Sequence, residues 1–486
     1  MSTASRPRIA VILLLLLVLP PCPAWACYAI IVGREASADG SVLVAHLEQN
    51  GGRRILNFRQ IPRLQHAPGD EVVLRRGGRL PQVEQTWAFL WSQNPGIEYS
   101  DGYLNEWGVA IVSDGCRTRE DDYETLVKRG EIRDGGIGYL LRRLVAERAQ
   151  TAREGVLLAG RLVERFGYAD SGRTYVIADP REGWLFAAVR GRRWVAQRVP
   201  DDMIVALPNV HIIGEIDLAD DANFLASPDI VSYAVSRDWY DPEAGEPFSF
   251  RKVYNINQSD PPDPRRWRGR QLAAGCDEPW PPASPPPVGI RPKEKLTVEA
   301  LARVLRFTGS PGTLSTPSTQ EGAIFQLRAD LPPAIGCIYW RTTAEPSTSV
   351  FTPWYVGISQ TAESYYRPVE VREQLTLAYQ FDPPAGTFDF DADSAWWKFK
   401  RLQDAVRADF PNRAERVQPA WAAFERDALA VQPQIEARAM QLWDTDRQAA
   451  IDLLTGHCAR LAADACRHAD KMAEGFLGNA GVKSSR

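Results

Sequence analysis

The chain has 486 residues, 44% of them apolar and 24% charged, with 57 basic against 61 acidic side chains and a formal charge of −4. These are the proportions of a globular protein long enough for one large or two ordinary domains. No basic surplus points to a nucleic-acid partner, and no apolar run beyond residue 26 is long enough to span a bilayer, which speaks against stable membrane insertion.

Residues 1–26 read as a secretion signal, with Arg6 and Arg8 as the charged start, residues 9–19 as the apolar run and Ala24-Trp25-Ala26 as a small-x-small cleavage site. Cleavage there removes two arginines, lowers the charge from −4 to −6, and makes Cys27 the N-terminus of an exported, periplasmic or extracellular protein. A terminal cysteine carries a nucleophile and a candidate base on one residue, because an α-amine titrates near ~7.7–8.0 and a thiol near ~8.5. The amine can then activate its own side chain. Two other readings compete. Cys27 is also placed like a lipid-attachment cysteine, which would make the protein an anchored binding or scaffold protein, and many free cysteines are buried small hydrophobes at strand starts.

From Cys27 the pattern is β-rich. Residues 27–33 and 41–48 are apolar runs around an Ala38-Asp39-Gly40 turn signal and read as a hairpin. Further strands are expected at 55–60, 72–75 and 85–91, and the stretch 102–115 is a polar turn leading into another. The period then changes to three-to-four over 137–148 and 154–166, which predicts an antiparallel helix pair. Strands return at 174–178, 184–189, 193–198 and 203–207. Strands, a helix pair and strands again argue for an α+β layered fold. The proline-dense segment 259–292 reads as an extended surface connection. A helix at 297–306 and strands at 323–327, 335–341 and 349–355 follow, and from residue 392 onward the chain is amphipathic and helical. We divide it into a signal peptide (1–26), a catalytic domain (27–380) and a helical extension (381–486) suited to packing or to self-association as a homo-oligomer.

Six cysteines follow the leader: Cys27, Cys116, Cys276, Cys337, Cys458 and Cys466. The last two are eight apart in a helical pattern, ~12 Å along one helix and too far to bridge. No H-E-x-x-H or C-x-x-C occurs among them and the five histidines, so the spacing offers no zinc ligand set and no cofactor is expected. His457 and His468 fall in the helical tail and read as structural.

In order, Cys27 with Gly33 and Ala36-Ser37-x-Asp39-Gly40-Ser41, then Asn105-Glu106-x-Gly108-Val109-Ala110, Gly135-Gly136-Ile137-Gly138 and Trp354-Tyr355-x-Gly357-Ile358 resemble the cysteine dipeptidase family. That family contains the broad-specificity bacterial dipeptidases and the more distant secernins, within the N-terminal-nucleophile hydrolases. The resemblance covers roughly residues 27–366 and implies an αββα four-layer sandwich with the terminal cysteine on a central strand. It also implies a small peptide substrate, attack by the Cys27 thiol with its own amine as base, and a thioester intermediate. Asn209 resembles an oxyanion-hole asparagine, although Asn after Pro at a strand end is also an ordinary turn residue. Asn105 reads as a turn former. Relatives carry a basic residue on the second hairpin strand with an Asp three positions on, whereas this chain has His46 and then Gln49, with Glu48 between. His46 and Glu48 share one face of the strand and Gln49 lies on the other. Glu48, Asp114 and Arg251 are candidate anchors for a substrate's ammonium and carboxylate. The rival reading within enzymes is an amidase of the same fold acting on N-acyl substrates.

Overall fold

The computed structural model describes residues 27–49, 56–94, 102–258, 261–366 and 389–482. The expected leader and the boundary at residues 380 and 381 lie outside them.

The hairpin forms as its pattern requires. Strands Tyr28–Val32 and Val42–Gln49 are buried along their whole length and pair antiparallel, with Ala29 opposite His46 and Ile31 opposite Val44. Asp39 closes the turn by accepting from the Ser41 amide at 3.1 Å, and Gly40 takes φ of 76°. Continuous burial marks strands covered on both faces. Both are interior to a six-stranded sheet that runs Ile204–Leu207, Tyr28–Val32, Val42–Gln49, Thr319–Leu327, Cys337–Arg341 and Thr352–Tyr355. An eight-stranded sheet lies against it, with Gly183–Gly191, Tyr168–Ala178 and Ala110–Gly115 among its inner strands.

Alternation along the first strand decides what faces what. Ile31 points at the second sheet, into space that a Cβ on Gly183 would fill. Tyr28 points the other way, its hydroxyl so near Gly269 that any side chain there would collide with it. Odd positions of this strand, Cys27 included, therefore face the space between the sheets. Helices Leu140–Arg148 and Ala152–Phe166 cover the outer side of the second sheet through a core that includes Leu144, Val156, Val163, Tyr175 and Phe186. Helices Pro264–Ala274 and Val298–Leu305 cover the outer side of the first. The order of layers is helix, sheet, sheet, helix, the αββα sandwich expected from the sequence.

The proline-dense segment differs from its reading as a surface connection. Asp263 caps, and Pro264 opens, an eleven-residue helix that buries Arg266, Trp267 and Arg270 and ends on Gly275 in the left-handed region. Proline at the first helical position costs nothing, since that N–H has no intrahelical partner. Of the C-terminal helices, Phe410–Trp443 and Arg447–Val482 pack onto the edge strand Thr352–Tyr355 of the first sheet, and Ala395–Arg407 packs on those two helices. Glu425 there pairs with Arg306 and Glu436 with Arg328, all four side chains nearly buried. His457 is buried, its ring 6.4 Å from that of Tyr355. The six cysteines among the described residues are free, with Cys458 and Cys466 on one helix.

Candidate active site

Cys27 sits at the head of the first strand, 6% exposed, across from Glu48. Its Sγ lies 3.5 Å from Glu48 Oε1 and 3.6 Å from the Gln49 carbonyl oxygen. His46, two residues back on the same face, places Nε2 3.6 Å from Oδ1 of Asp114, which reaches across from the second sheet. All four side chains are buried. The Gln49 side chain turns to the opposite face and donates to the Leu314 carbonyl. Glu48, not Gln49, is thus the acid derivative beside the thiol, as the two-residue period of a strand demands.

The backbone of Cys27 is held by a residue absent from the sequence reading. Arg265 Nη1 donates at 3.1 Å both to the Cys27 carbonyl and to Oδ1 of Asn209. Arginine offers only donors, so it fixes the Asn209 amide with its oxygen toward the guanidinium and its Nδ2 hydrogens directed away. Arg265 follows Asp263-Pro264 at the start of a helix, a cap signature that places the element but gives no sign of its reach toward Cys27.

The remaining candidates separate. Asn105 is fully buried and structural: its Oδ1 accepts from the Trp107 and Val109 amides, and its Nδ2 donates to the Ala146 and Ala149 carbonyls. Arg251 lies on helix Phe250–Tyr254, where Nη1 donates to the Pro286 carbonyl. A cation that sequence reasoning missed, Arg173, stacks on the Tyr139 ring at 4.6 Å and donates to Ser113 Oγ.

Electrostatics single out Cys27 among the buried cysteines. Burial pushes its thiol well up, and the charges of Glu48 and Asp114 push it further, with Arg173 opposing. Cys337 is pushed up to about 12 chiefly by burial, as expected of a packing thiol. Burial raises the Asp114 carboxyl although His46 lowers it, and the bond and charge of Asp114 carry the His46 imidazole up against its own burial. The contact between Asp114 Oδ1 and His46 Nε2, at 3.6 Å, is longer than an ordinary hydrogen bond, and among the described residues neither these atoms nor Asp114 Oδ2 has another hydrogen-bond partner. Buried polar atoms are rarely left so, and a role at a reactive site is one of the reasons.

The model of Peptidase family C69 matches residues 26–422, most of the chain. The chain belongs to that family. This C69 protein is a cysteine-type peptidase. It is 29% identical over 361 residues to a probable dipeptidase of Salmonella dublin, covering 68% of this chain and 81% of that one. A probable dipeptidase of Latilactobacillus sakei is 26% identical over 381 residues, 72% of this chain and 78% of its own. A solved mutant of the conjugated bile acid hydrolase from Clostridium perfringens aligns with 71% of this chain and 99% of its own at 10% identity and a TM-score of 0.36.

Proposed function

We propose that this peptidase is an exported dipeptidase that works through a thioester on an N-terminal Cys27. The observation that carries the reading is the meeting of a thiol at a strand head with two buried carboxylates, Glu48 and Asp114, in one inter-sheet space. A dipeptide brings a free α-ammonium close to its scissile carbonyl, and a charge-assisted bond to a buried carboxylate recognises it. An N-acyl amide brings no such charge and gives these carboxylates nothing to recognise. The names of the dipeptidase relatives agree with this preference over an acylase.

The chemistry follows from the residues present. The terminal amine takes the thiol proton while Sγ adds to the peptide carbonyl. The oxyanion that develops is met by Nδ2 of Asn209, which Arg265 has oriented. The C–N bond then breaks, the leaving amine takes the proton back from the terminal ammonium, and water, deprotonated by the same amine, hydrolyses the thioester. Glu48 serves as the counter-charge of the ammonium form. Since the small-x-small site abuts Cys27, removal of the leader on export is itself the activation step. Two measurements test the reading. The secreted protein is expected to begin at an unmodified Cys27 by intact mass, and Cys27→Ala is expected to fold and be exported yet hydrolyse no dipeptide. A diacylglyceryl cysteine, or full activity in Cys27→Ala, would refute it.

A further inference from the structure

The same inter-sheet cluster has a second capacity, independent of peptide chemistry. Sγ of Cys27, a ring nitrogen of His46 and a carboxylate oxygen of Glu48 all lie within 4.8 Å of one another, and all three residues are buried. Zinc takes thiolate at ~2.3 Å and carboxylate oxygen at ~2.0–2.2 Å in a tetrahedron, which sets sulfur and oxygen ~3.5–3.6 Å apart. The distance from Cys27 Sγ to Glu48 Oε1 is 3.5 Å. We propose that Cys27, His46 and Glu48 form a binding site for a thiophilic divalent cation, zinc above all, which reversibly blocks the nucleophile.

Two further observations point to a cation. Asp114 sits 3.6 Å from Nε2 of His46, with both its oxygens buried and, among the described residues, no hydrogen-bond partner besides that contact. A carboxylate behind a metal-bound histidine fixes the ring and raises its basicity. Asp114 would hold that position for a metal bound at Nδ1. The pair of carboxylates that disfavours a lone thiolate at Cys27 also favours a divalent charge, and coordination removes the thiol proton to solvent. Three protein ligands leave the fourth position of zinc open, and a freed Cys27 amine would fill it as a chelate with its own sulfur. Only that last ligand, and the loss of hydrolysis, rest on the function proposed above. The sequence spacing hid the set because its members come from opposite strands of a hairpin.

Cobalt(II) is the probe, since a thiolate ligand gives it an intense near-ultraviolet charge-transfer band and tetrahedral geometry gives strong visible bands. The whole secreted protein is expected to bind one Co2+ with both features and to exchange it for Zn2+. It should lose the near-ultraviolet band in Cys27→Ser, keep it in Cys276→Ser, and bind cobalt at least ~10-fold more weakly in His46→Ala. Without any variant, Zn2+ should protect Cys27 from iodoacetamide in a peptide-resolved mass measurement, and a chelator should restore both alkylation and dipeptide hydrolysis. No thiolate band, a band that survives Cys27→Ser, or alkylation of Cys27 that Zn2+ leaves unchanged would overturn the proposal. Hydrolysis by metal-free protein is read separately. A protein that cleaves dipeptides without binding cobalt refutes the metal site alone, and one that binds cobalt at Cys27 but cleaves no dipeptide refutes the proposed function alone.

Discussion

Replacing Glu48 with Gln should move two properties of Cys27 in opposite directions. The carboxylate oxygen lies 3.5 Å from Sγ, and both residues are buried. At an effective dielectric of about 20, two unit charges at that distance repel by about 5 kcal/mol, an upper bound on the cost that Glu48 imposes on the thiolate. Arg173 opposes part of that push, and the Cys27 thiol is expected to fall once the Glu48 charge is gone. Burial, the first cause of the raised value, is unchanged by the substitution. The assay is the pH dependence of iodoacetamide alkylation at Cys27, resolved by peptide mass from the other cysteines. The thiolate is the reacting form, so alkylation at pH 7 should quicken by about 10-fold or more. Dipeptide hydrolysis should slow by about 10- to 100-fold, because the ammonium form of the base loses a charge-assisted bond of about 1.5–3 kcal/mol. An unchanged alkylation profile, or hydrolysis that rises together with alkylation, would refute the assignment of Glu48.

The two asparagines are expected to part company. Asn209→Ala should lower kcat by about 10²- to 10³-fold with little change in melting temperature, as the loss of an oxyanion donor does. Asn105→Ala should instead cost about 3 kcal/mol or more in denaturant unfolding while the folded fraction keeps its kcat, because the side chain satisfies three buried backbone groups and a fourth that is partly buried. Asp114 gives a pH signature. Its carboxyl is raised by burial in the folded chain, so between the ordinary unfolded value of ~3.9 and the raised folded one the native state binds more protons, and the stability contribution of this group falls as pH rises through that window. Asp114→Asn is therefore expected to melt above the unaltered protein at pH 7.5, with the gap closing toward pH 4. The same variant should bind dipeptides more weakly through KM.

The hairpin, the helix pair at 140–166 and the helical tail were all legible because each carries a clear period. The placement of His46 and Glu48 on one face, with Gln49 on the other, followed from strand alternation alone, and the structure keeps it. Arg265 was not legible. It bonds to a residue 238 positions away, from a helix concealed by a proline-rich composition whose first proline is a start signal. Arg251 was named for its nearness to motifs in the sequence, and it bonds instead to the proline-rich connection at Pro286. Asp114 and His46 come from different sheets, so local spacing carried no record of their meeting. Period reveals which face a side chain takes, whereas the pairing of two sheets decides which faces meet.

The central claim is that a free amine on Cys27 is the base for its own thiol. Its most direct test compares dipeptide hydrolysis by a chain that begins at Cys27 with that of a chain retaining one extra alanine ahead of it, both confirmed by intact mass and by matching melting curves. The account predicts activity in the first and its loss in the second, restored when the extra residue is removed by an aminopeptidase. Equal hydrolysis by the two chains would contradict it.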